Sequence, residues 1–205
     1  EIALTRAGGR GAIMAKMNAL VDHDIIKKLY EASQAGVEIR LIVRGICSLR
    51  PQLPGLSENI QVISIIDRFL EHSRMFHFSA GGLDEVYIAS ADWMTRNMER
   101  RIEIMFPISK PELKRRIIDK ILGICWIDNV KAWELHADGS YVQRKPPSTG
   151  EAIRSQQRFI DMVREGGIQS IPYVQAIRHN PARKKGARPV AKRGAHASKK
   201  GAPAT

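Results

Sequence analysis

Short apolar runs alternate along this chain with segments whose apolar residues recur every three or four positions, and that alternation predicts its elements. From Gly11 to Lys16 the residues read as a first strand, entered soon after Glu1 and leading into Asn18 and Asp22. Asp22 or Asp24 is placed to cap a helix, because a carboxylate there accepts from unpaired N–H groups of the first turn. Ile25, Ile26, Leu29, Tyr30 and Ala32 then recur at helical spacing, and Gly36 supplies the stop. A second strand runs from Val37 to Val43, with Ile39, Leu41 and Val43 on one face. Strand, helix and strand in this order favour parallel pairing through a right-handed crossover. Residues 44–59, with their prolines and glycines, read as a loop before a third strand from Ile60 to Ile66.

Beyond that point the pattern predicts a hairpin, with strands from Arg74 to Phe78 and from Glu85 to Ala89 joined through a Gly-Gly turn. A further strand is expected from Arg101 to Pro107. An amphipathic helix follows from Pro111 to Trp126, with Leu113, Ile117, Ile118, Ile121, Leu122 and Cys125 turned inward. A second hairpin joins Val130 to Leu135 with Tyr141 to Gln143 across Ala-Asp-Gly. Ser148 or Thr149 then opens a last helix to about Glu165, stopped by Gly166-Gly167. The expected class is α/β: a mixed β-sheet with helices packed on its faces.

Composition locates the charge. The chain carries a formal +12, but nine Lys or Arg and no acid lie between Arg178 and Thr205, which leaves +3 for residues 1–177. The expected organisation is one domain over 1–177 and a basic tail over 178–205, disordered because it cannot bury enough apolar surface to offset its ordering entropy. Cys47 and Cys125 are too few for a disulfide framework and read as buried reduced thiols. No apolar run approaches the roughly 18 residues of a spanning helix, and no secretory leader is visible. A cytoplasmic protein is expected, with contact between the tail and an anionic membrane surface left open.

The candidate chemistry centres on His72 and Arg74, two residues apart at the start of a predicted strand and so pointing the same way. An imidazole can attack phosphorus or protonate a leaving oxygen, and a guanidinium fork holds non-bridging oxygens by parallel bonds. Ser90, Asp92, Arg96 and Asn97 follow the next strand, where they can face the same pocket. Arg44 ends a strand at the carboxyl edge of the sheet, where ligands of open α/β sheets collect, and Gly45 permits close backbone approach. Lys16 and Asn18 follow the first strand toward that edge, and Arg101 is a further cation near it. Each has an ordinary alternative: a structural histidine, a solvated arginine, or an aspartate that orients rather than reacts. His23, His77 and His136 suggest no site, and neither Cys/His nor carboxylate spacing suggests a metal cluster.

These residues carry a family resemblance. Arg68-Phe-Leu-Glu-His-Ser-Arg74 with Ser90-Ala-Asp-Trp-Met-Thr-Arg-Asn97 resembles the C-terminal part of class-one polyphosphate kinases. Lys16-Met-Asn18, Leu41-Ile-Val-Arg-Gly-Ile-Cys47, Pro54-Gly-Leu-Ser-Glu-Asn59 and Arg101-Ile-Glu103 follow in family order. The resemblance implies a phospholipase D-like half and reversible transfer of the terminal phosphate of ATP to inorganic polyphosphate, yielding ADP. It implies that a histidine upstream of this chain carries the phosphoryl group, that His72 meets the nucleotide phosphates as acid or base, and that Arg44, Arg74 and Arg101 bind phosphate. Magnesium is expected with ATP, held by phosphates and upstream residues, and a homo-oligomer is expected of the whole enzyme. The 205 residues alone are expected to be inactive.

Two other functions fit parts of the sequence. A phospholipase D-type phosphodiesterase half-site acting as a dimer would use His72, although Arg74 replaces its lysine and Ser79 stands where an aspartate belongs. A non-catalytic polyanion-binding module would use the tail, with a steep salt dependence.

Overall fold

A computed structural model describes residues 1–165 and shows one eight-stranded mixed sheet in the order β6-β5-β4-β1-β2-β3-β7-β8. Strands β1 (Ala12–Met17), β2 (Glu38–Val43) and β3 (Ile60–Ile65) run parallel at its centre. Strands β4 (Arg74–Phe78), β5 (Glu85–Ala89) and β6 (Met105–Pro107) extend it antiparallel on one side. On the other side are β7 (Ala132–Leu135) and β8 (Tyr141–Gln143). The α/β class and the parallel β1–β2 pair agree with the sequence.

The centre is parallel because α2 (His23–Gln34) carries the chain back between β1 and β2, as the sequence pattern requires. Asp22 caps it by accepting from the Ile25 N–H at 3.0 Å, and Gly36, at φ +91°, adopts the left-handed turn that ends it. Ile26, Leu29 and Ala32 pack on Ile13, Ala15, Ile39 and Leu41. The opposite face of the sheet, with Ile42, Ile63, Met75 and Val86, is covered by Ile117, Leu122 and Cys125. Both faces being covered explains why β2 ends in the apolar run Leu41–Val43 and β3 is buried at every position but Gln61.

Several boundaries differ from expectation. The chain begins with a short helix, α1 (Ile2–Arg6), before β1. The strand expected from Arg101 shrinks to β6, which begins only at Met105, and residues 95–100 before it form a helix, α3 (Thr95–Arg100), that holds Asn97 inward. The helix over 111–126 is continuous but not uniform: α4 (Pro111–Arg115), a π-helical segment (Arg116–Leu122) and α5 (Gly123–Trp126) follow one another. The wider π turn brings Ile117 and Leu122, five apart, to the same buried side and leaves Leu113 39% exposed rather than inward. The last helix, α6 (Ser155–Arg164), starts later than Ser148 or Thr149 because Asp128 draws its first turn down, accepting from the Ser155 N–H at 2.7 Å. Cys125 is buried, as expected, but Cys47 is only partly so. The expected Gly166-Gly167 stop, the boundary at 177 and the basic tail lie outside the described residues.

Candidate functional site

Strand polarity brings the candidates together. β1 and β2 run parallel, so Asn18 and Arg44, just past their carboxyl ends, lie side by side. β4 runs antiparallel to β1 with Met75 opposite Lys16, which places the start of β4 and the preceding His72 at the same edge. β5 reverses again with Ala89 opposite both Arg74 and Met105, so Ser90 and Glu103 arrive there too.

Hydrogen bonds link these groups in a chain. Asn18 Oδ1 accepts from Arg44 Nε at 3.0 Å and Nη2 at 2.6 Å. The Asn18 N–H donates to Asp92 Oδ1 at 2.7 Å, and Asp92 accepts from Arg74 Nε at 3.1 Å and Nη2 at 3.0 Å. Arg74 in turn lies against His72, with Nη2 3.0 Å from Nε2, Nη1 3.3 Å from Nδ1 and Nη1 donating to the His72 carbonyl at 3.1 Å. A guanidinium only donates, so the ring nitrogen it bonds accepts with its lone pair. His72 is exposed and lies just before β4 rather than within it.

Asp92 is the hub and is almost wholly buried. Burial alone raises its carboxyl, but the Arg74 guanidinium and the Asn18 and Ala19 N–H groups outweigh that and hold it below the usual carboxylate range. Trp93 stacks on Phe76, ring centroids 5.0 Å apart, and fixes the turn that presents Asp92. Gly45 allows a close approach, though to Asn18 rather than to open space: its N–H donates to the Asn18 carbonyl at 2.8 Å. A methyl group there would stand 3.1 Å from that oxygen.

A second cluster adjoins the first. Glu103 accepts from the Ser90 hydroxyl and the Asn97 amide, and these donors lower its pKa, helped by the charges of Arg101 and Arg74. Ser90 also takes the Ile104 N–H at 3.0 Å. Ser90 and Asn97 are therefore tied to a carboxylate. Arg96 and Arg101 are exposed beside them.

Lys16 departs from the expected arrangement. It alternates with Ala15 and Met17, so it points to the opposite face of the sheet, where it is 5% exposed and pairs with Glu71 at 2.9 Å. Its Nζ also donates to Ser73 Oγ at 3.3 Å. It supports the His72 segment from beneath instead of reaching the edge.

Sequence reasoning assigned no role to Glu103, Glu71 or Gln156. Glu103 stood within a quoted motif and was the one with a signal. Gln156, 87 residues from its partner Phe69, had none: it exchanges bonds with that backbone at 2.9 and 2.8 Å and donates to Glu71 Oε1 at 2.9 Å. Beside them lies a pocket of about 510 Å³ between Phe69, His72, Arg116, Lys120 and Phe159.

The arrangement presents an imidazole and two oriented guanidinium groups, with the nearby carboxylates already engaged by donors. That pattern suits an anion with several oxygens. Among the described residues no group of three or more His, Cys, Asp or Glu is disposed to hold a metal.

Comparison with known proteins identifies the family. Residues 1–156 match the family described as polyphosphate kinase C-terminal domain 2. The polyphosphate kinase of Burkholderia cenocepacia is 55% identical over 157 residues, which are 77% of this chain and 22% of that protein. The polyphosphate kinase of Synechocystis sp. is 58% identical over 152 residues, 74% of this chain and 21% of that protein. The crystal structure of polyphosphate kinase from Porphyromonas gingivalis superposes with a TM-score of 0.76 at 43% identity, covering 80% of this chain and 25% of that one. The chain thus spans between a fifth and a quarter of the length of these relatives. With the family match spanning residues 1–156 and relatives at 55% and 58% identity, the chain belongs to the polyphosphate kinase C-terminal domain 2 family.

Proposed function

We propose that this chain supplies the nucleotide-phosphate grip of an ATP:polyphosphate phosphotransferase. The relay from Arg44 through Asn18, Asp92 and Arg74 to His72 carries the reading, since it sets three phosphate-seeking groups on one edge. Arg44 uses Nε and Nη2 on Asn18, and among the described residues its Nη1 has no hydrogen-bond partner. It is aimed by Asn18 yet keeps a donor for a non-bridging oxygen. Arg74 is fixed by Asp92, so an arriving phosphate exchanges with His72 for its outer N–H groups. His72, released from that contact, faces the phosphate as acid or base. Arg101 adds charge at the rim.

In this reading the bond between the terminal phosphorus and the bridging oxygen of ADP breaks as a P–N bond forms to a histidine that the relatives' longer chains supply. The terminal oxygen of polyphosphate then displaces that histidine. Magnesium accompanying ATP, a homo-oligomeric whole enzyme, a cytoplasmic setting and polyanion binding by the tail belong to the same proposal. No helix among the described residues is long and apolar enough to cross a membrane.

The test is calorimetric titration of ATP into the chain and into its His72→Ala and Arg44→Ala variants. Each substitution removes charge-assisted contacts and is expected to cost about 1.5–3 kcal/mol of binding. Unchanged affinity in both variants would refute the assignment. The unaltered chain, given radiolabelled ATP, is expected to form no stable phosphohistidine.

A further inference from the structure

We propose that Gln156, on the C-terminal helix α6, is a positioning residue for His72; the inference rests on the reading of His72 as a phosphate contact. Residues 66–73 have no regular secondary structure, and Ile66, Phe69 and Leu70 are 65%, 51% and 71% exposed. Apolar packing therefore does little to define where this segment runs. Polar ties do it instead, and most come from α6 and the residue before it. Arg154 grips Asp67 through two bonds of 2.8 and 2.6 Å. Gln156 Oε1 accepts the Phe69 N–H while Nε2 donates to the Phe69 carbonyl, as a neighbouring strand would. The second Nε2 hydrogen goes to Glu71 Oε1, and the other Glu71 oxygen is held by Lys16. The residue immediately before His72 is thus pinned at both carboxylate oxygens, by β1 from one side and α6 from the other.

Gln156 is 5% exposed, and its amide makes one accepted and two donated bonds, so only an amide satisfies the set. His72 by contrast is exposed, and among the described residues its ring has hydrogen-bonding contact with Arg74 alone. The imidazole is held within reach of Arg74 because the chain leading into it is fixed through the Phe69 backbone and the Glu71 carboxylate, and its own carbonyl accepts from Arg74. Losing the Gln156 bonds frees the Phe69 backbone and one Glu71 oxygen, so the segment leading into His72 loosens and the ring gains freedom, while Lys16 on Glu71 and Arg74 on the His72 carbonyl remain and Arg44, Asn18, Asp92 and Arg74 keep their own contacts.

A double-mutant cycle in this chain tests the proposal, with inorganic tripolyphosphate as the probe and NMR titration of the His72 ring resonances alongside calorimetry. Gln156→Met keeps the length of the side chain and removes all three bonds; Gln156→Asn replaces it should the first not fold. The Gln156 variant is expected to bind about tenfold more weakly, and so is His72→Ala. The double variant is expected to be no weaker than His72→Ala within about twofold, because the glutamine acts only through that ring. The His72 ring resonances should also broaden in the Gln156 variant. Full affinity in the Gln156 variant, or losses that add in the double variant, would overturn the positioning role alone. An unchanged affinity in His72→Ala, or no binding by the parent chain, would overturn the phosphate reading beneath it.

Discussion

Replacing Asp92 with Asn should destabilise this chain by about 3 kcal/mol, and the structure says why. The carboxylate is 6% exposed and faces the 12% exposed Arg74 at 3.0 Å. Asparagine keeps the size but leaves the guanidinium without its counter-charge and turns one acceptor into a donor. Removing one member of a buried pair costs about 3–5 kcal/mol, and the low end applies because Arg74 retains the His72 carbonyl at 3.1 Å. At about 2–4 °C per kcal/mol for a domain of this size, the melting temperature should fall by about 6–12 °C. The pH dependence gives an independent check. Asp92 has a lowered pKa in the fold, so its stabilisation is complete above the unfolded value of about 3.9 and drains away as pH falls through the lower folded value. Circular-dichroism melts of parent and Asp92→Asn from neutral pH into acid should therefore show a gap that narrows below about pH 4. A fall smaller than about 2 °C at neutral pH, or a gap that stays constant into acid, would refute the account of Asp92 as a charged hub.

Other outcomes follow from the same geometry. Gly45→Ala presses a methyl group against the Asn18 carbonyl, so tripolyphosphate binding should weaken several-fold with little change in melting; equal loss of both would point to a general packing defect. Burial pushes the Cys125 thiol up to about 12 and that of Cys47 to about 11. Both should react slowly with Ellman's reagent in the native chain and fully after guanidinium unfolding, and rapid release of one equivalent from native protein would contradict this. Glu103→Gln should loosen Ser90 and Asn97 and shift their backbone amide resonances while leaving those of Arg44 and Asn18 in place.

Much of the central fold was legible because its cues are local. Asp22, the apolar stripe from Ile25 to Ala32 and Gly36 specify α2 within a dozen residues, and the flanking apolar runs then have only one plausible pairing. His72 and Arg74 share a direction because of a spacing of two, which survives although His72 precedes the strand. What escaped depends on tertiary contact. α3 is six residues, mostly polar, and is set by the burial of Asn97 against Glu103 rather than by any periodicity. Lys16 alternates with Ala15 and Met17 and turns beneath the sheet toward Glu71 and Ser73, partners more than fifty residues away that only the fold supplies. The π-helical turn and the late start of α6 likewise answer to partners far along the chain.

The outer margin of the sheet has a consequence of its own. β6 is three residues long and ends in Pro107, opposite Tyr87, and a proline has no hydrogen to offer an incoming strand. Although Met105 and Phe106 are 63% and 48% exposed, the ladder cannot be propagated far past them by another copy. Polymerisation through that flank is thereby discouraged, and its sticky side chains are left for association that needs no shared backbone pairing.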